Sequence, residues 1–312
     1  MDTIKRRQFI KKGTIALGGL GIAANAVSAN SSQAPPDPDP PFLGESVNLW
    51  EDDSSNNGSN PNYRPEIKIY YPTARGRSSQ SKNLAAVLIC PGGGYSIQAD
   101  HEGQPFAQLF AMNGIVGVVL TYRVSPDRYP GSYSDACRAI RLLRKNSSKY
   151  NIDPEKIGIM GFSAGGHLAS TVATQPDLYN EPEDDLVNKF SARPNRLILG
   201  YPVISFIDSF AHTGSAKNLL GEDAGDDMKK QLSNNYQVTE NNPPAFLFHT
   251  ADDKGVPVDN SLRFADACLK NGVSVELHVY PKGNHGVGMA LDNPFLRTWS
   301  ELLMNWLDTW KS

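Results

Sequence analysis

An α/β fold, with a mostly parallel central sheet and helices on both faces, is predicted by three observations. From residue 66 onward, strand-like and helix-like patterns alternate along the chain. The run Leu84-Ala85-Ala86-Val87-Leu88-Ile89-Cys90 is apolar without a break, as a strand covered on both faces must be. Two of the strands run directly into glycine-rich turns, Pro91-Gly92-Gly93-Gly94 and Gly161-Phe162-Ser163-Ala164-Gly165-Gly166.

The elements follow in order. Residues 66–71 form a strand at an antiparallel start of the sheet, and 84–90 the buried central strand. Helix 103–113, strand 115–121 and helix 132–149 come next. In the last of these, Ala136, Ala139, Ile140 and Leu143 make the apolar stripe, leaving Arg138, Arg141, Arg144 and Lys145 to solvent. Lys156-Ile157-Gly158-Ile159-Met160 reads as a short buried strand, and His167 to Ala173 as part of a helix over 164–174. Strand 196–201, the apolar strand 244–249, helix 258–271, strand 273–280 and helix 294–310 complete the domain. Within the last strand, residues 274–280 alternate apolar and polar. Residues 205–242 are polar and irregular, and are expected to be an inserted cap or lid where substrate choice resides. No internal repeat is evident.

The segment from Gly161 to Gly165 is a G-x-S-x-G sequence between a strand and a helix. That junction lifts a serine hydroxyl clear of the sheet top. A serine is a weak nucleophile and needs a base within hydrogen-bond reach. Downstream, strand 244–249 ends in Thr250-Ala251-Asp252-Asp253, and strand 273–280 leads into Gly283-Asn284-His285-Gly286. The order Ser, Asp, His is that of α/β-hydrolases. His285 can take the serine proton and return it to a leaving group, while a buried carboxylate fixes its tautomer. Asp253 and Asp252 compete for that third role. The spacing to Val256-Pro257 favours Asp253. Glycines after strand 84–90 free backbone N–H groups for a developing oxyanion, so Gly93, Gly94 and Ala164 are the expected donors.

On these segments the chain resembles the α/β-hydrolase esterases of the acetylxylan esterase and feruloyl esterase-like (BD-FAE-type) group. The matching stretches are PGGGY, Thr121-Tyr122-Arg123, DACRAIRLLRKN, IDPEKIGIMGFSAGGHLAST, NLLG at 218–221, PPAFLFHTADDKGVPVDNS and GNHGVGMA, spread over residues 66–311. The resemblance carries the family's triad onto Ser163, Asp253 and His285. Pro91 stands where related hydrolases often have histidine, which keeps the backbone donors and changes their side-chain support. The resemblance implies a serine esterase acting on short acyl groups of plant polysaccharide, acetyl on xylan above all. A peptidase of related fold and a silent carbohydrate-binding domain are the alternatives.

Lys5-Arg6-Arg7-Gln8-Phe9-Ile10-Lys11 has the pattern of a twin-arginine export signal. Residues 13–29 are uncharged and rich in Gly and Ala, too weakly apolar for a stable membrane span. Val27-Ser28-Ala29 offers small residues for cleavage. Residues 1–29 are thus expected to be an export signal handled by the Tat machinery, with the mature protein periplasmic or secreted. Residues 30–62, with their Pro/Asp run and Ser54–Asn60 polarity, are expected to be a linker, anchored on the domain edge by Trp50. The catalytic domain then covers 63–312.

The chain has 312 residues, 39% apolar and 20% charged, with net charge −3. Residues 1–29 hold five basic residues and one acidic, so the remainder carries 25 basic against 32 acidic, a charge of −7. That balance argues against nucleic acid and anionic membranes as partners. Cys90, Cys137 and Cys268 make no disulfide framework and read as buried thiols. His101, His212, His249 and His278 have no zinc-like spacing, and no phosphate loop is present. No cofactor or metal is expected.

Overall fold

The computed structural model describes residues 43–50, 55–72, 83–179 and 185–311. The export-signal segment 1–29 lies outside them. Among the described residues eight strands form one sheet: β1 (Leu43–Asn48), β2 (Glu66–Tyr70), β3 (Leu84–Cys90), β4 (Val116–Thr121), β5 (Ile152–Phe162), β6 (Arg196–Gly200), β7 (Ala245–Thr250) and β8 (Val275–Tyr280). Their order across the sheet is β1-β2-β4-β3-β5-β6-β7-β8. β1 pairs antiparallel with β2, and β2 with β4. From β4 to β8 every pairing is parallel.

The helices are α1 (Gln104–Met112), α2 (Gly131–Lys145), α3 (Ser147–Tyr150), α4 (Ser163–Thr174), α5 (Thr213–Leu220), α6 (Asp226–Gln231), α7 (Asp259–Lys270) and α8 (Thr298–Lys311). Strand period sorts the core into two layers. On β3, Ala86, Leu88 and Cys90 face one cluster, with Ile140 of α2, Leu168 of α4 and Phe264 of α7. Val87 and Ile89 face the other, with Phe106 and Phe110 of α1 and Trp299 and Leu303 of α8. This is an α/β-hydrolase fold.

Part of the linker expected over 30–62 is ordered on the domain, with Trp50 as its anchor. Residues 43–48 are an edge strand, and Leu49 and Trp50 are buried. Trp50 Nε1 donates to Asp135 Oδ1 at 2.7 Å, and Ser59 N–H donates to Asp127 Oδ2 at 2.8 Å. A strand of mixed polarity whose partner lies some twenty residues away leaves a weak local pattern; β2 supplies the ladder that makes it a strand.

The helix expected over 132–149 breaks at Asn146, whose side chain donates to the Leu142 carbonyl at 3.0 Å. Arg138 and Arg141 are buried, and Arg144 is half-buried. Arg138 lies 4.3 Å over the Trp50 ring and pairs with Asp185 and the Leu49 carbonyl. Arg141 Nε donates to the Phe190 carbonyl at 3.2 Å, and Arg144 to those of Pro154, Ser191 and Arg193. A segment from 185 to 195 covers this side of α2, so long cationic stems lie under chain and their heads find carbonyls. Only Lys145 is exposed as expected. The region 205–242 carries α5, α6 and a 3-10 turn at Asn234–Tyr236 rather than irregular chain. The last helix starts at Thr298, later than expected, after Asn293 Oδ1 accepts the N–H groups of Phe295 and Leu296.

Candidate active site

Parallel pairing puts the carboxyl ends of β3, β5, β7 and β8 on one edge, where ligands of open α/β sheets bind. Each expected site residue lies just past one of those ends. β5 stops at Phe162, and Ser163 opens α4 with φ at +50°. That left-handed value is a strained one for serine, the kind of outlier found where a nucleophile is presented. The turn closes because Gly161 and Gly165 lack side chains. A Cβ on Gly161 would stand 2.0 Å from the Gly165 carbonyl oxygen, and one on Gly165 2.1 Å from that of Cys90.

Ser163 Oγ lies 2.8 Å from His285 Nε2, and His285 Nδ1 lies 2.7 Å from Asp253 Oδ2. The imidazole is partly open to solvent, while the Asp253 carboxylate is enclosed. Asp253 Oδ1 accepts the N–H groups of Gly255 and Val256 at 2.8 and 2.9 Å. Burial alone would raise its pKa. Hydrogen bonds from His249, His285 and the Val256 N–H outweigh burial and hold the carboxyl well below the usual carboxylate range. An ionised Asp253 fixes the Nδ1–H tautomer, leaving Nε2 as the acceptor for the serine proton.

Asp252 does not share this role. It is exposed, and its Oδ1 accepts the Gly283 N–H at 2.7 Å. The two neighbours divide the work: Asp253 faces the imidazole and Asp252 fastens the loop that carries it.

The loop after β3 lies against the elbow. A Cβ on Gly92 would come within 2.9 Å of Ser163 Cβ. The Gly92 N–H is committed to Glu102 Oε2 at 2.7 Å. Among the described residues no acceptor takes the N–H of Gly93 or Gly94. Their φ values of +127° and +65° need glycine. Ala164 lies in the first turn of α4, where N–H groups have no partner within the helix. None of the three expected donors has an acceptor for its N–H among the described residues.

Four supporting residues received no role from the sequence, although His167, Asn218 and His249 lie within the stretches that resemble the family. His249 is fully buried on β7. Its Nε2 is 3.0 Å from the Val256 carbonyl and 3.5 Å from Asp253 Oδ2, and its Nδ1 is 2.7 Å from Ser261 Oγ. Flanked by two acceptors, Nε2 carries the proton. His167, one turn into α4, bridges Tyr95 Oη at 2.8 Å and the Leu232 carbonyl at 2.6 Å, and stacks on Phe206 at 4.0 Å. Its pKa is lowered to about 4 by burial, which the Leu232 bond only partly offsets. Asn218 of α5 donates to the Gly94 carbonyl at 2.8 Å, tying the cap to the glycine loop. His212 caps α5 through Nδ1, and its pKa is lowered first by burial and then by His285.

Cys90, Cys137 and Cys268 are buried and form no disulfide among the described residues, with burial pushing the Cys268 thiol up to about 12. Among the described residues no group of three or more His, Cys, Asp or Glu could hold a metal ion, and no helix is long and apolar enough to cross a membrane.

A family model described as BD-FAE matches residues 67–268. Endo-1,4-beta-xylanase B of Butyrivibrio fibrisolvens is 34% identical over 257 residues, which is 81% of this chain and 39% of that protein. Acetylxylan esterase of Xylanibacter ruminicola is 34% identical over 227 residues, 71% of this chain and 45% of that protein. The chain spans less than half the length of these two relatives. Among solved structures, an acetyl ester-xyloside bifunctional hydrolase from Caldicellulosiruptor lactoaceticus superposes with a TM-score of 0.78 at 43% identity. The match covers 85% of this chain and 96% of that one.

Proposed function

This chain belongs to the BD-FAE family, and from that premise we propose that it is a serine esterase removing acetyl groups from xylan-type polysaccharide. The observation that carries the reading is the continuous hydrogen-bonded line from Asp253 through His285 to Ser163, set beside the free N–H groups of Gly93, Gly94 and Ala164. Ser163 Oγ attacks the ester carbonyl as its proton passes to His285 Nε2. Asp253 stabilises the imidazolium that forms. The carbonyl oxygen becomes an oxyanion and takes the backbone donors, an interaction stronger in the transition state than in the ground state. His285 returns the proton to the sugar oxygen, which leaves. A water, deprotonated by the same nitrogen, then hydrolyses the acyl-enzyme.

The names of the similar proteins support acetyl as the acyl group and a xylan-type sugar as the alcohol. Export by the twin-arginine route rests on Arg6-Arg7 and the uncharged stretch after them. It fits a polymeric substrate that cannot enter a cell.

The test is acetate release from acetylated xylan, alongside 4-nitrophenyl acetate and longer acyl esters, for the parent and Ser163→Ala. Both acetyl substrates should be cleaved, and the variant should lose about 10⁴-fold or more in turnover while folding normally. Cleavage of small esters without xylan would keep the chemistry and remove the polymer. Inertness toward all esters would remove the esterase reading.

A further inference from the structure

Glu102 is a buried carboxylate that the proposed reaction does not use. It ends the 3-10 turn Asp100–Glu102, is 2% exposed, and has no Arg or Lys partner among the described residues. A carboxylate taken out of water is costly unless its oxygens are hydrogen-bonded. Both are. Oε2 accepts the Gly92 N–H at 2.7 Å, and Oε1 accepts the Tyr201 hydroxyl at 2.7 Å. The Tyr201 oxygen in turn accepts the Gly288 N–H at 3.0 Å, so its own proton is directed to Glu102. Burial, and next Glu102 itself, raise the Tyr201 pKa and keep that proton in place. The Gly288 carbonyl is held by Trp299 Nε1 at 3.1 Å. Beside this line His101 Nε2 bonds the Gly286 carbonyl at 2.9 Å.

The endpoints give the line its meaning. Gly92 is the residue before Gly93 and Gly94, and Gly288 is three residues past His285. We infer that Glu102 and Tyr201 are positioning residues that clasp the oxyanion loop to the histidine loop, so that donors and base keep a common register about Ser163. The inference rests on the esterase reading of this site. Two further features fit the role. Tyr201 has φ at +35°, a costly conformation for an aromatic residue, and holds it just past the end of β6. Its ring stands edge-on to the His285 ring at 5.2 Å, so the same residue sets the height of the imidazole. A carboxylate is required because both incoming groups are donors. An amide would turn its NH₂ toward one of them and open one arm.

The test compares parent, Glu102→Gln, Tyr201→Phe and the double variant on 4-nitrophenyl acetate, with reactive sites counted by a fluorophosphonate. Each single variant should lose about 10- to 100-fold in kcat per labelled site, with KM within about threefold. The double variant should fall no further than the worse single, since each breaks the same line. Losses that track only the number of labelled sites, or two losses that multiply, would overturn the clasp. Should Glu102→Gln fold poorly, Tyr201→Phe carries the same test. A parent inactive on the ester would overturn the esterase reading itself, whereas an active parent with unaltered variants overturns only the clasp.

Discussion

The flank of α2 and the carboxyl rim of the sheet both bury charged groups, and they finish differently. On the flank, polar groups satisfy one another. Asp135, fully buried, receives Trp50 Nε1, the Arg123 N–H and the Arg123 guanidinium, while Arg138 closes on Asp185 and a carbonyl. Ser132 Oγ and one Arg141 nitrogen stay unpaired there, but both are sealed from solvent, and the result is a strap that fixes residues 43–50. At the rim, Asp253, Glu102 and His249 are just as well satisfied. They leave a remainder: one imidazole nitrogen aimed at Ser163 and three N–H groups with no acceptor among the described residues. Buried polar networks can thus be alike in cost and differ in what they leave unspoken for. That remainder is where chemistry can occur.

The contrast can be broken first at the rim. Asp253→Asn should lower kcat on 4-nitrophenyl acetate by about 10⁴-fold with little change in melting temperature, because it removes the tautomer lock on His285. On the flank the opposite pattern is expected. Asp135→Ala strands the Arg123 guanidinium and should cost about 3–5 kcal/mol in denaturant unfolding, while kcat per labelled site stays at the parent value. Loss of activity per site there would erase the distinction between the two regions.

His167 joins the two behaviours and sharpens them by pH. Its folded pKa is lowered to about 4 against an ordinary 6.5. The unfolded chain therefore binds the proton first. The stability it protects is complete above pH 6.5 and is lost as pH falls toward 4, reaching about 3 kcal/mol. The difference in unfolding free energy between the parent and His167→Gln should show that slope over this window. A pH-independent difference would refute it. Smallest of all, Asp252→Asn should alter kcat by about twofold or less, since an amide oxygen can still accept the Gly283 N–H.

Much of this architecture was legible in the residues. Continuous apolarity marked β3, and the Ser, Asp, His order marked three loops on one edge. Those features are local, or are fixed by chain order in a parallel sheet. The register of the acid was less so: Asp252 and Asp253 are adjacent and chemically identical, and only the direction each side chain takes after β7 separates them. The arginines of α2 mislead for the same reason. Their spacing matches an exposed face, and nothing within the helix reveals that residues 185–195 lie over it. β1 was hidden because its partner ladder, not its own composition, makes it a strand.

What the sequence by itself determined is the set of reacting groups and the sheet edge that gathers them, because strand period and strand-end position are properties of short segments. What only the tertiary structure decided is how those groups are held. Glu102, Tyr201 and His167 act through partners 10 to 99 positions away, and hydrogen bonds of that reach exist only once the chain has closed on itself.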